Sequence, residues 1–305
     1  MTNQPKVPRR SGVIPMTSDY GFKVTFGNPT LQKFICRALQ ALIQSPHRIQ
    51  HVEFVPTVFE GSTKSGRSGI YDVVCTDETG QTFIVEMQRN AHAAFLNRLK
   101  FYTFQRFDTL VKKGNFDFGT IERIYGIGIL GSQMTTLPNF HNILTLKNQD
   151  GIEVDDQLIY VTVELSKFRL TAKTVTTDLE KLIFMLKNAV EMTATKSKPA
   201  FLEEDWLKEA FIELDIRNMT PEQYESYMHH LANEAEEKRY DERLKMESEI
   251  KGKMEGKIEG KIEGKIEGKI EMIQSLLFKG TFPIEDIAEA AKVPIDFVLE
   301  IKSKL

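Results

Sequence analysis

IYDVVCTDETGQTFIVEMQ, residues 70–88, decides the fold. Two β-rich runs, 70–76 and 81–88, flank Asp77-Glu78-Thr79-Gly80. These four residues suit a type I turn with Gly80 in the left-handed conformation, which closes a three-residue hairpin loop. Asp77 then pairs with Gln81, and that register sets Asp72 directly opposite Glu86. Facing residues share one side of a sheet, with Cβ atoms ~4.5–5.5 Å apart. Gln88 and Ile84 fall on the Glu86 face by strand alternation, while Val85 and Met87 point to the other. Two carboxylates opposed among Val, Ile and Phe are destabilising unless positive charge sits between them. A divalent cation resolves the conflict, and hard oxygen ligands favour Mg²⁺ or Mn²⁺ over zinc. The competing reading leaves both carboxylates solvated on an open hairpin face. A two-residue loop would put them on opposite faces.

Outward from the hairpin, residues 30–44 place Phe34, Ile35, Ala38, Leu39, Leu42 and Ile43 at helical spacing, with Thr30 as the expected cap after Pro29. Residues 52–59 are strand-like, and 61–69 (GSTKSGRSG) form a basic loop. Residues 93–113 carry a helical pattern, and 121–131 and 158–165 read as buried strands. A helix, several strands, a helix and further strands make a mixed α/β core. After about residue 175 the strands stop. Residues 177–192 and 203–214 are amphipathic helices, and a highly charged helical stretch begins at Thr220-Pro221.

The chain has 305 residues, two of them cysteines, Cys36 and Cys75, which read as free thiols in a reducing compartment. No stretch approaches the ~20 apolar residues of a membrane span, and residues 1–16 have no apolar signal-peptide core. A cytoplasmic location is expected. The net charge of -3 hides an asymmetry. Residues 1–175 hold 20 Lys and Arg against 15 Asp and Glu, and residues 176–305 hold 20 against 28. Only the first part suits a polyanion such as DNA. Its basic run over 89–113 is by itself no more than a solvated helix face.

Asp72 followed by Glu86-Met87-Gln88 resembles the Asp…Glu-x-Lys signature of PD-(D/E)xK nucleases. SDYGFKVTFG (18–27), YDVVCTDETGQTFIVEMQ (71–88), FLNRLKFYTFQRF (95–107), ERIYGIGIL (122–130) and VELSKF (163–168) resemble more narrowly the recombination-promoting nuclease and putative transposase family. The resemblance spans residues 17 to about 245. It implies a restriction-endonuclease-like core with a central mixed sheet flanked by helices, and one divalent-metal site. Asp72 and Glu86 would bind the metal, with the Met87 carbonyl as a further ligand. Gln88 stands where most such enzymes have lysine, so it can hydrogen-bond but carries no charge. Asp19 would add a carboxylate behind the site, or else cap its helix. Arg98 and Tyr102, four apart on one helix face, would border the site with Arg98 on phosphate, or else pack the stem. Arg67 would touch DNA backbone from the 61–69 loop.

Other motifs fail on context. GSTKSGRS (61–68) approaches a phosphate-binding loop but leads into a strand, and GIGILG (126–131) lies within one. The glycines of GIGILG are expected to permit close packing instead. Residues 251–271 carry the tetrad Gly-Lys-Met/Ile-Glu, whose helix should be weak alone because each glycine costs ~1 kcal/mol relative to alanine. Its apolar stripe either meets another chain or belongs to a solvated spacer. The last 34 residues resemble a small helix-turn-helix opened at Pro283 and Pro294.

The expected organisation is therefore a basic arm (1–16), a nuclease-like domain (17–175), a helical extension (176–250), the tetrads (251–271) and the tail (272–305). The expected function is Mg²⁺-dependent cleavage of DNA in recombination or transposition. The alternatives are a DNA-binding relic that no longer cuts, or a protein that assembles with itself through residues 220–305.

Overall fold

The computed structural model describes residues 12–59, 69–90, 94–111, 114, 116–194 and 198–305. It divides into two compact units, Met1–Met228 and His229–Leu305.

In the first unit, α1 (Asp19–Thr25) and α2 (Gln32–Ile43) precede β1 (Val52–Phe54), β2 (Val58–Phe59), β3 (Gly69–Ile70), β4 (Val73–Asp77) and β5 (Thr82–Gln88). Then come α3 (Phe95–Leu110), β6 (Ile124–Leu130), β7 (His141–Lys147), β8 (Glu153–Glu164), α4 (Asp178–Asn188), α5 (Glu191–Ala194) and α6 (Asp205–Leu214). Six strands form a mixed sheet in the order β1-β4-β5-β6-β8-β7, and β2 pairs with β3 apart from it. β5, β6 and β8 run parallel at the centre.

The hairpin has the expected register. Val73 pairs with Val85 and Val74 with Ile84, and the Asp77 amide donates to the Gln81 carbonyl at 3.0 Å. Gly80 takes φ +89°, which closes the three-residue loop.

Strand alternation divides the sheet into two faces. Phe83, Val85, Ile127, Ile129, Val161 and Val163 join α1, α2, α4 and α6 in the main core. This core reaches from Val13 to Met219, so the helices after residue 175 belong to it. On the other face Ile84 and Ile124 meet Phe101 and Tyr102 of α3. Two glycines of β6 let α3 come close. A Cβ on Gly126 would lie 2.9 Å from Thr103 Cγ2, and one on Gly128 would lie 2.5 Å from Phe95 Cε1. The packing reading of GIGILG therefore holds.

Several local expectations change. The stretch 52–59 is two strands, because Val55, Pro56 and Thr57 break it. The N-cap position of α2 is Leu31, without a side-chain hydrogen bond. Thr30 instead bonds Asn28 Oδ1 through its amide and hydroxyl. β7 has no counterpart in the sequence reading. It is a half-exposed sheet edge with weak alternation, although Asn148-Gln149-Asp150-Gly151 behind it, with Gly151 at φ +79°, is a turn signal.

α7 (Pro221–Lys279) starts in the first unit and supplies the greater part of the second. It is helical through all five tetrads. In the second unit, α8 (Ile284–Ala291) and α9 (Ile295–Ser303) start after Pro283 and Pro294 and bury Ile287, Val298 and Ile301 with Ile273. Lys292 adopts φ +51°, filling the left-handed turn position where glycine is usual. Among the described residues no helix is long and apolar enough to cross a membrane.

Candidate active site

The end of β5 and the start of β4 bring two acids together. Asp72 sits in a bend one residue before β4, and Glu86 is near the end of β5, 2% exposed. They clasp each other's backbone. The Asp72 amide donates to Glu86 Oε1 at 3.0 Å, and the Met87 amide donates to Asp72 Oδ2 at 2.8 Å. Each carboxylate therefore has one oxygen fixed by a neighbouring N–H.

Burial dominates the electrostatics. Desolvation, and then the Asp72 charge, push the Glu86 carboxyl up to about 8. Desolvation also raises Asp72, against the bond from Met87. Arg98 Nη2 lies 4.0 Å from Glu86 Oε2. With both ionised, two buried acids on adjacent strands repel each other, and Arg98 offsets that repulsion only in part. A hard divalent cation fits this donor set, because it favours carboxylate and carbonyl oxygens and would relieve that repulsion. Among the described residues no group of three or more His, Cys, Asp or Glu gathers for a metal. Ligation would therefore rest on two carboxylates supplemented by carbonyl oxygens or water.

Gln88 shares the Glu86 face, as the alternation predicts. Its Oε1 accepts from Arg98 Nη2 at 2.8 Å. The Arg98 guanidinium also lies 5.3 Å from the centre of the Phe95 ring. Gly128 pairs with Glu86 across β5 and β6, and the space it leaves admits Phe95. A missing Cβ on β6 thus lets the α3 residues that carry Arg98 stand above the acids.

The other expected residues divide. Tyr102 packs edge-on against Tyr71, ring centres 5.3 Å apart, and Tyr71 Oη donates to its carbonyl at 3.4 Å. Asp19 does not cap α1. Ser18 does, accepting from the Gly21 amide at 3.0 Å. Asp19 is the next residue and pairs with Lys23 at 3.1 Å. The charges of both act on Asp72, Asp19 opposing its ionisation and Lys23 favouring it. Met87 meets Asp72 through its amide. Arg67 lies outside the described residues.

Sequence reasoning missed a clasp at the end of β8. Glu164, fully buried, accepts from the Met134 amide at 2.8 Å and pairs with Lys167 at 3.0 Å. Lys167 also donates to the carbonyls of Thr135 and Leu137. Together they pin the loop that leaves β6, whose first residue, Gly131, donates to the Gln88 carbonyl at 2.9 Å. VELSKF was the available signal, since a buried acid with a lysine three residues on needs partners to satisfy it.

No curated protein and no solved structure matches this chain. The mixed sheet, the paired acids on adjacent strands and the Glu-x-Gln ending of β5 agree with a family model that matches residues 16–249, that of the PD-(D/E)XK nuclease family transposase, and the chain belongs to that family.

Proposed function

We propose that the chain is an Mg²⁺- or Mn²⁺-dependent DNA endonuclease serving recombination or transposition. The observation that supports it most is the Asp72–Glu86 clasp, a buried, repulsive pair whose energy falls when a divalent cation binds. Asp72 and Glu86 would hold the ion, with the Met87 carbonyl as a candidate third oxygen. When bound, the ion supplies Lewis-acid stabilisation of a phosphoryl oxygen and acidifies water. Gln88 cannot take a proton, so it orients water or phosphate by hydrogen bonding. Arg98, anchored by Gln88 and Phe95, offers its remaining N–H groups to a phosphate oxygen. Asp19 and Lys23 bias the charge on Asp72 from the first turns of α1. Tyr102 holds α3 against Tyr71.

The test is supercoiled plasmid incubated with Mg²⁺, with Mn²⁺ or with EDTA. Metal-dependent nicking supports the reading. DNA binding without cutting, with either metal, would identify a relic that binds but no longer cuts.

A second reading, self-association through residues 220–305, has its own observation. Met254, Ile258, Ile262 and Ile266 form a stripe along α7 and are 45–62% exposed. The glycines between them make an isolated helix weak. Burying the stripe against a second copy would offset that cost.

A further inference from the structure

Arg98, Tyr102 and Arg106 follow one another at four-residue spacing on α3, so their side chains form one ladder along the helix. Arg98 stands at the acid pair. Arg106 lies about two turns further on, roughly 12 Å along the helix axis at ~1.5 Å per residue. Tyr71 links this second arginine to the site. It directly precedes Asp72 in the chain. Its ring packs against Tyr102, and its hydroxyl donates to the Tyr102 carbonyl. Burial pushes the Tyr71 hydroxyl up to about 12, a shift that the Arg106 charge opposes and the Glu86 charge reinforces. Arg106 and the acid pair therefore both stand within electrostatic reach of one tyrosine, on the α3 side of the sheet.

The Arg106 guanidinium lacks a counter-charge. Its Nε is buried without a hydrogen-bond partner, as is that of Arg98. Burial pulls the guanidinium below its ordinary range, and among the described residues the one charge set against that shift is Tyr71, not a carboxylate. Asp108, the one acid of α3, is two residues on and so does not share its face. By contrast, Arg37 closes on Asp178, Arg123 on Asp156 and Arg217 on Asp215. A half-buried cation without a counter-ion destabilises the fold that holds it. An anion docked on the ladder removes that penalty, and a guanidinium grips phosphate oxygens through paired N–H groups.

We infer that Arg106 is a second phosphate contact of α3, holding the DNA backbone on the flank of the phosphate that Arg98 and the acid pair receive. The inference rests on the nuclease reading and deepens it. Arg106 binds away from the scissile bond, and backbone contacts of this kind set register without reading sequence.

The test is the salt dependence of full-length protein binding to a short DNA duplex, followed by fluorescence anisotropy with Ca²⁺ in place of Mg²⁺. Ca²⁺ takes the same kind of oxygen ligands, and a gel of each sample verifies that the duplex stays whole. Each phosphate contact contributes about 0.9 to the slope of log affinity against log salt. Arg106→Gln and Arg106→Met should each flatten the slope by about 0.9, and Arg106→Lys should restore it. Lys208→Gln, on a lysine paired with Glu203 in α6, should leave it unchanged. Methionine keeps an apolar stem, so the urea midpoint of Arg106→Met should match or exceed that of the parent. A parent that binds DNA while both neutral variants keep its slope overturns the contact alone and leaves the nuclease reading standing. Equal flattening by Lys208→Gln also overturns it, since the effect would then be one of net charge. So does flattening that comes with a lower urea midpoint in both neutral variants and is not restored by Arg106→Lys, which is the signature of a packing role. A parent with no salt-dependent affinity overturns the nuclease reading and the contact with it.

Discussion

Replacing Glu86 by glutamine in the metal-free protein should stabilise the first unit increasingly as pH rises. Glutamine keeps the oxygen that accepts from the Asp72 amide and removes the charge. The Glu86 carboxyl is raised from 4.5 to about 8 by burial and by Asp72. A folded-state pKa above the unfolded value means that the native protein binds this proton more tightly. That stabilisation is complete below pH 4.5 and is lost as pH climbs through 8. At 1.36 kcal/mol per unit, the stability gap between variant and parent should widen by about 4 kcal/mol from pH 5 to pH 9. Urea titrations in EDTA can follow the fluorescence of Trp206, the chain's one tryptophan, which is 3% exposed in the core of this unit. Mg²⁺ should then stabilise the parent, by ~2.7 kcal/mol at one hundred times its Kd, and leave the variant unchanged. A gap that stays constant with pH, or equal stabilisation of both proteins by Mg²⁺, would refute the reasoning.

Gln88→Lys restores the commoner signature but sets a second cation beside Arg98, 2.8 Å from the present amide oxygen. In cleavage assays it should fall below the double variant Gln88→Lys/Arg98→Gln, whereas Gln88→Ala should lower the rate and leave Mn²⁺ binding intact. Gly128→Ala drives a Cβ into Phe95 and should cost ~1–3 kcal/mol in urea unfolding. Binding and nicking assays on a chain ending at residue 245 should show DNA affinity and cutting retained, while light scattering gives the mass of one copy for it and of two copies for the full chain if the stripe on α7 mediates pairing. A chain ending at 175 loses α4 and α6 from the main core and should be unfolded by circular dichroism.

The hairpin was legible because its turn chemistry fixes the register, and the register decides which residues face one another. With Gly80 in the left-handed position, the opposition of Asp72 and Glu86 follows. β7 was not legible, because a half-exposed edge strand needs little apolar alternation. Local competition at helix starts also escaped the reading. Ser18, not Asp19, caps α1 by accepting from the Gly21 amide, and Asn28 takes the groups of Thr30. What pattern cannot supply is tertiary. Arg98 meets Gln88 because Gly128 leaves room for Phe95, an arrangement of three elements that no single stretch contains.

The most direct measurement is cleavage of supercoiled plasmid by the parent, Asp72→Asn and Glu86→Gln side by side, each verified as folded. Both substitutions preserve shape and remove one of the two charges offered to the cation. The account predicts nicking by the parent with Mg²⁺, none with EDTA, and none by either variant. Undiminished Mg²⁺-dependent nicking by a folded Asp72→Asn or Glu86→Gln protein would contradict it.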